Sequence, residues 1–197
     1  MEELVEKAKN DDKRAFSELI MATEKELYLI AKSKLKSDDD IGDAIQETIY
    51  KSYKNIKKLR DNSVFKTWII KILINECNNI YKKKSKYSIS YEDKEMEKYL
   101  VSNDESDNIE FEVLIKDLDS EEKLILTLYY CSKYTIKEIS KIVKIKENTI
   151  KSKMARAKNK IRKQLEKEEE ILWKTLKKYY KEQTQKIKEF HRKYITK

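Results

Sequence analysis

The stretch of sequence that decides the fold is TIKEISKIVKIKENTIKSKMARAKNK, residues 135–160. Thr135 and Glu138 form a T-x-x-E capping box, which predicts that a helix begins at this point. Apolar residues follow at helical spacing, and residues 144–146 then predict a short turn before a second helix. Two short helices joined by such a turn constitute a helix-turn-helix unit.

The second helix of this unit is expected to begin near Glu147 or Asn148. Its apolar face comprises Ile150, Met154, Ala157 and Ile161. Its outward face carries Lys151, Lys153, Arg156, Lys158 and Lys160. The second helix of a helix-turn-helix unit can enter the major groove of DNA. The pattern therefore favours DNA binding over the alternative, a solvated basic helix on an ordinary helical bundle.

The composition predicts an all-α fold. Gly42 is the single glycine and the chain has no proline, whereas the turns and hairpins of an all-β fold need these residues. The 39% of hydrophobic residues suffices for modest cores, and the 41% of charged residues requires extensive solvated surface. Lysine far outnumbers arginine, and with many Ile and Asn this indicates an AT-rich (low-GC) genome.

The net charge of +9 is unevenly distributed along the chain. Residues 1–84 carry +3, residues 85–118 carry −6 and residues 119–197 carry +12. A basic C-terminal half favours a polyanionic partner. Total charge by itself does not distinguish DNA from RNA or an anionic membrane surface.

Residues typical of catalytic and metal sites do not occur at the required spacings. Cys77 and Cys131 lie far apart within apolar helical patterns, so buried free thiols are expected rather than a disulfide or a metal site. His191 is the single histidine, and no nucleophile pair or glycine-rich phosphate loop is present. No signal peptide or long apolar run is found either. We expect a cytoplasmic protein that is not an enzyme, needs no cofactor or metal and does not insert stably into a membrane.

Three apolar stripes in residues 1–84 predict a first helical domain. The stripes run from Phe16 to Ala31, from Ile41 to Ile56 and from Phe65 to Ile80. Residues 85–107 have weak periodicity and many acids, and they predict a linker. A second helical domain is predicted for residues 108–167, in which Ser120 is expected to cap a helix whose Leu124, Ile125 and Leu128 face inward.

Residues 168–197 are expected to form a helical extension. Positions spaced alternately by three and four residues form a heptad seam: Trp173, Leu176, Tyr180, Gln183, Ile187, Phe190 and Tyr194. The extension can continue the preceding helix or fold back after Glu168-Glu169-Glu170. The seam can pack on the protein's own domains, on another protein or, as a basic amphipathic helix, on a membrane surface.

Five segments together resemble the extracytoplasmic-function (ECF) branch of the bacterial sigma-70 superfamily. In the first domain these are NDDKRAFSELI, DDDIGDAIQETIYKSYKNI and FKTWIIKILINECNNIYKKK. The last is similar to the family pattern F-x-x-W-x-x-R-I-x-x-N, with Lys71 in place of the usual Arg. In the second domain, LDSEEKLILTLYY and residues 134–162 resemble the promoter-reading helix-turn-helix. Asp119, Asn148 and Asn79 replace the Pro, Gly and Asp that are common in the family, which leaves the DNA sequence preference open.

The resemblance implies a protein that binds core RNA polymerase and gives it promoter specificity. It implies that the polymerase docks on Asp43, Gln46 and Glu47. It implies that the melting −10 element contacts Lys71, Asn75, Tyr81, Lys82, Lys83 and Lys84. A tyrosine in the Tyr87 to Tyr91 stretch is the alternative to Tyr81 for stacking on the bases. It implies that the duplex −35 element contacts Thr149, Lys151, Ser152, Lys153, Arg156 and Lys158. An anti-sigma protein is a further implied partner.

Two residues invite more specific interpretations. Arg156 is the one arginine among the candidate −35 residues, and arginine binds guanine bidentately whereas lysine acts as a point charge. Trp68 shares the helical phase of Phe65 and Ile72, which favours a core position over a platform for DNA bases. A dimeric helix-turn-helix regulator that uses the heptad seam for dimerisation is the alternative function, and a structural adaptor is a third. Co-purification with core polymerase distinguishes these alternatives.

Overall fold

The computed structural model describes the backbone of residues 1–87 and 106–194, and the side chains of residues 1–84 and 111–170. Within these ranges the protein is helical and has no β-strand, which confirms the all-α prediction. Residues 1–154 form one compact unit and residues 155–197 form a second. Most of the predicted linker lies outside the described residues.

The N-terminal part contains three short helices: α1 (Glu2–Lys9), α2 (Lys13–Met21) and α3 (Glu24–Lys32). Asp12 caps α2, because its carboxylate accepts hydrogen bonds from the backbone N–H groups of Arg14 at 2.9 Å and Ala15 at 3.1 Å. Because α2 ends at Met21 and α3 begins at Glu24, the apolar stripe from Phe16 to Ala31 extends over two helices rather than one.

Two longer helices complete this part of the chain: α4 (Asp38–Asn55) and α5 (Phe65–Tyr87). Helix α4 begins at Asp38, Asp39 and Asp40, whose carboxylates interact favourably with the helix dipole. Two 3₁₀ turns, Ile56–Lys58 and Asn62–Val64, connect α4 to α5. The core of this part of the chain contains residues from α2, α3 and α5 that are all 0% exposed: Leu19, Leu27, Ile30, Phe65, Ile69 and Leu73.

Helices α6 (Ser106–Ile115) and α7 (Ser120–Leu126) follow, and a π-helical turn at Thr127–Cys131 ends α7. The prediction that Ser120 caps α7 is wrong. Asp119 is the cap, because its carboxylate accepts hydrogen bonds from the N–H groups of Glu121 at 3.0 Å and Glu122 at 2.8 Å. The Glu122 carboxylate accepts from the Asp119 N–H in return, which completes a capping box. Leu124, Ile125 and Leu128 are buried as predicted.

The helix-turn-helix prediction is confirmed by α8 (Ile136–Val143) and the start of α9 at Glu147. In the capping box of α8, the Glu138 N–H donates to Thr135 Oγ1 at 3.3 Å, and the Thr135 N–H donates to Glu138 Oε2 at 2.9 Å. Lys144 ends α8 in the left-handed conformation, with φ of 59°. The Ser140 hydroxyl donates to the Ile145 carbonyl oxygen at 2.6 Å and closes the turn.

Helix α9 (Glu147–Tyr194) is continuous, so the extension continues the second helix of the helix-turn-helix unit and does not fold back after Glu170. The side chains of the heptad seam lie outside the described residues. Cys77 and Cys131 are free thiols, and burial raises the pKa of Cys77 to about 11. Among the described residues, no helix is both long enough and apolar enough to cross a membrane.

Candidate functional site

Helix α4 presents Asp43, Gln46 and Glu47 together on its exposed face. The opposite face is buried, with Ala44 and Thr48 both 0% exposed. The Thr48 hydroxyl donates to the Ala44 carbonyl oxygen at 2.7 Å, which satisfies this polar group within the helix. The three polar side chains therefore project from a helix whose position is fixed by packing.

Tyr50 extends this exposed face, although sequence reasoning assigned it no role. It lies seven residues after Asp43, which is two helical turns, and it is 51% exposed. The Lys54 ammonium lies 4.3 Å from the centre of the Tyr50 ring. Exposed tyrosine is enriched at protein interfaces. The seven-residue spacing from Asp43 is the sequence signal that identifies Tyr50.

An ion-pair network of Glu47, Lys51 and Glu76 borders the same face. Lys51 Nζ lies 3.1 Å from Glu47 Oε1 on α4 and 2.7 Å from Glu76 Oε2 on α5. Asn79 Nδ2 donates a further hydrogen bond to Glu76 Oε2 at 3.3 Å. Hydrogen bonds to Glu76 and Glu47 raise the pKa of Lys51. Sequence spacing can indicate the Glu47–Lys51 pair, but Glu76 lies 25 residues after Lys51 and is found only in the folded chain.

Lys71, Asn75 and Tyr81 line one cavity along α5, together with Lys34 and Asn78. Lys71 is half-buried, Asn75 is exposed and Tyr81 is 66% exposed. Burial lowers the pKa of Lys34. Amide groups, cations and an exposed aromatic ring are the groups that contact bases and phosphates of single-stranded nucleic acids. The structure thus brings three of the six predicted −10 residues together.

The three lysines at the end of α5 lie elsewhere. Lys82 and Lys83 line a second groove, whose other wall includes the three exposed polar residues of α4. Lys84 Nζ forms an ion pair with Asp40 Oδ2 at 2.7 Å. The predicted −10 set is therefore divided between two sides of α5, and Lys84 also connects α5 to the first turn of α4.

Trp68 is half-buried at the start of α5. Its ring centre lies 6.0 Å from that of Phe65, which is 0% exposed. The indole therefore packs against the core on one side and retains some exposed surface.

The first two turns of α9 present Thr149, Lys151 and Ser152 to solvent, while Ile150 and Met154 are buried. Arg156 and Lys158 are exposed one and two turns further along the helix. Because Arg156 lies seven residues after Thr149, both occupy the same face.

Lys153 differs from the other predicted −35 residues, because its ammonium forms an ion pair with Glu121 Oε2 at 2.6 Å. This ion pair joins α9 to α7, and the Lys153 side chain is only 21% exposed. Asn148 was not among the predicted residues, yet it is exposed in the first turn and faces away from Ile150. Asparagine can bind adenine bidentately. The presence of Asn148 at the start of the predicted second helix is therefore the sequence signal that could have identified it as a candidate base contact.

Two family models match this chain and together cover more than half of it. Sigma-70 region 2 matches residues 19–87, and Sigma-70 region 4 matches residues 114–163. The first match contains the α4 and α5 surfaces. The second contains the helix-turn-helix unit.

Relatives and solved structures extend this similarity over most of the chain. RNA polymerase sigma factor SigV of Bacillus subtilis (strain 168) is 27% identical over 165 residues, which are 83% of this chain and 98% of that protein. ECF RNA polymerase sigma factor SigW of the same strain is 25% identical over 181 residues, which are 82% of this chain and 94% of that protein.

Two solved complexes share the fold. CnrH in complex with the cytosolic domain of CnrY has a TM-score of 0.62 and 16% identity, and it covers 84% of this chain and 96% of that one. The sigma factor RpoE in complex with the anti-sigma factor NepR from Bartonella quintana has a TM-score of 0.63 and 20% identity. This match covers 77% of this chain and 96% of that one.

The two regions occur in the order expected of a sigma factor, within one all-helical chain. A stand-alone dimeric regulator is not favoured, because the family matches include region 2 as well as the helix-turn-helix unit. The chain therefore belongs to the sigma-70 superfamily as an ECF sigma factor, which binds core RNA polymerase and directs promoter-specific initiation of transcription.

Proposed function

We propose that Asp43, Gln46 and Glu47 form the surface on which core RNA polymerase docks. The observation that supports this most directly is their common exposure on α4, whose opposite face is buried. Exposed carboxylates and an amide suit a polar interface that fixes the orientation of the partner. Tyr50 would add an aromatic contact at the edge of this surface.

The −10 element is proposed to bind along α5 as it melts. Asn75 and Tyr81 would contact the unstacked bases, and Lys71 would contact the phosphate backbone. Lys82, Lys83 and Lys84 would continue the cationic path from the end of the helix. The ion pair of Lys84 with Asp40 means that DNA has to compete for this ammonium.

The first turns of α9 are proposed to enter the major groove of the −35 element. Arg156 would read base identity, with Thr149 and Ser152 nearby on the helix. Lys151 and Lys158 would contact phosphates, which position the helix without specifying sequence. Lys153 would contribute more weakly, because Glu121 already partners it. Asn148 is an additional candidate for a base contact.

Residues 1–84 and 108–167 are proposed to act as two DNA-binding domains joined by the linker at residues 85–107, with residues 168–197 as a helical extension. Each domain alone would hold promoter DNA weakly. When polymerase binds both domains, the second DNA contact gains effective concentration from the first. The protein by itself would therefore bind promoters poorly.

The protein is proposed to act as a non-enzymatic factor in the cytoplasm, where RNA polymerase works. An anti-sigma protein is proposed as a further partner. Support comes from the fold shared with CnrH bound to the cytosolic domain of CnrY, and with RpoE bound to the anti-sigma factor NepR. A pull-down from unstressed cells that finds polymerase alone, with constitutive promoter activity, would contradict this partner.

The docking proposal is tested with the double variant Asp43→Asn/Glu47→Gln. It is expected to lose affinity for purified core polymerase, and holoenzyme-dependent transcripts from genomic DNA should disappear with it. Glu18→Gln/Glu24→Gln is the matched control, because it removes two exposed carboxylates from α2 and α3. Equal affinity of the docking variant and the control for core polymerase would contradict the assignment.

A further inference from the structure

Lys51 lies between two carboxylates that belong to different helices. Its ammonium contacts Glu76 on α5 at 2.7 Å and Glu47 on α4 at 3.1 Å. The two carboxylates differ in exposure: the Glu76 side chain is 11% exposed and the Glu47 side chain is 47% exposed. Lys51 therefore joins a buried charge to an exposed one.

The buried carboxylate fixes the position of Lys51. A buried charge requires a partner, and Glu76 accepts hydrogen bonds from both Lys51 and Asn79. The exposed pair of Lys51 with Glu47 would by itself be weak, because solvent screens it and both side chains are flexible. With Lys51 held by Glu76, the Glu47 side chain meets a partner that is already ordered.

We propose that Lys51 is a positioning residue for polymerase binding, which orders the Glu47 carboxylate before the polymerase arrives. The proposal rests on the docking role proposed for Glu47. Lys51 contacts Glu47 through Oε1, and a carboxylate can accept hydrogen bonds through both oxygens. Oε2 thus retains the capacity to accept a hydrogen bond from the polymerase.

The expected effect follows from the cost of ordering one side chain on binding. Without Lys51, that cost falls on the binding step, and core affinity should decrease roughly 2- to 12-fold. The same substitution leaves Glu76 without its cation, so it should also lower thermal stability. A readout that separates the two effects is therefore needed.

The test is a double-mutant cycle with Lys51→Met, Glu47→Gln and the combined variant, measured as affinity for purified core polymerase and as thermal midpoint. Lys51→Met should weaken core binding roughly 2- to 12-fold in the wild-type background and less than about 2-fold when Glu47 is already Gln. The thermal midpoint should fall in both backgrounds. Lys7→Met is the matched control, because Lys7 forms an i,i+4 pair with Glu3 at 2.8 Å, and it should leave core affinity unchanged.

A second variant distinguishes a loss of core affinity from a loss of stability. Lys51→Met/Glu76→Leu removes both charges of this partly buried pair, so no buried carboxylate is left without a cation. It should recover thermal stability without recovering core affinity. Recovery of both would overturn the positioning role and show that Lys51 acts through stability alone.

The cycle distinguishes this inference from the docking proposal. Equal losses of core affinity from Lys51→Met in both backgrounds would overturn the inference while leaving the role of Glu47 intact. Unchanged core affinity for Glu47→Gln by itself would overturn the docking role of Glu47 and, with it, the inference.

Discussion

Replacement of Arg156 by alanine tests which residue of α9 reads base identity. Arg156 is exposed, so the truncation removes little packing and folding should be retained. Loss of a bidentate contact to guanine costs about 1–3 kcal/mol, or roughly 5- to 150-fold in discrimination against a wrong base. We expect the −35 preference to broaden at one base pair while the −10 preference is retained.

The assay is selection from a promoter library randomised at the −35 element, with holoenzyme assembled from core polymerase and each variant. Lys151→Ala is the matched control, because Lys151 is another exposed cation of α9. It should weaken binding to all sequences alike. The slope of the logarithm of the binding constant against the logarithm of the salt concentration should become shallower by about 0.9. Arg156→Lys retains the charge without the planar guanidinium, so its base preference should resemble that of Arg156→Ala.

An unchanged base preference for Arg156→Ala would refute this assignment and leave Arg156 as a phosphate contact. A preference lost in Lys151→Ala and retained in Arg156→Ala would show that base reading lies on another face of α9.

Three further predictions concern stability and reactivity. Asp119→Ala should lower the free energy of unfolding by about 1 kcal/mol and the melting temperature in calorimetry by roughly 2–4 °C. Ser120→Ala should change the melting temperature little. A larger decrease for Ser120→Ala than for Asp119→Ala would contradict the capping assignment. Hydrogen bonds from Thr135 lower the pKa of Glu138, so its stabilising contribution is present above the ordinary glutamate pKa and is lost as pH falls through the lowered value. Glu138→Gln should flatten this part of an acid-unfolding profile. Burial raises the pKa of Cys77 to about 11, so iodoacetamide at pH 8 should modify it slowly until the protein unfolds, as mass spectrometry would show; rapid modification of the folded protein would contradict its burial.

Local sequence signals predicted the helix-turn-helix unit because its determinants lie within a few residues of one another. Thr135 and Glu138 are three residues apart, and their capping box forms as the pattern indicates. Asp119 and Glu122 have the same spacing and form the same kind of capping box. Ser120 follows directly and is also a preferred N-cap residue, so residue preference did not distinguish it from Asp119. The T-x-x-E and D-x-x-E patterns satisfy the same backbone N–H groups.

Long-range packing explains what the sequence did not predict. Ile70 and Ile74 of α5 are both buried. The predicted stripe omitted them and comprised Phe65, Trp68, Ile69, Ile72, Leu73 and Ile80. A helix that packs on several sides buries a wider arc than the single stripe of a surface helix. Glu76 lies on this wide buried arc, so neither its burial nor its pairing with Lys51 follows from helical periodicity.

The central position of α5 connects the proposed docking and −10 surfaces. Helix α5 packs against α3, α4 and α8 within the first compact unit. The groove that contains Lys82 and Lys83 also borders the exposed face of α4, and the cavity that contains Lys71 lies along the same α5 helix. Polymerase bound to α4 would therefore set the position of α5 through packed side chains rather than through a flexible connection. A prepositioned surface loses less freedom on binding, so weak contacts to melted DNA become sufficient once the polymerase is bound.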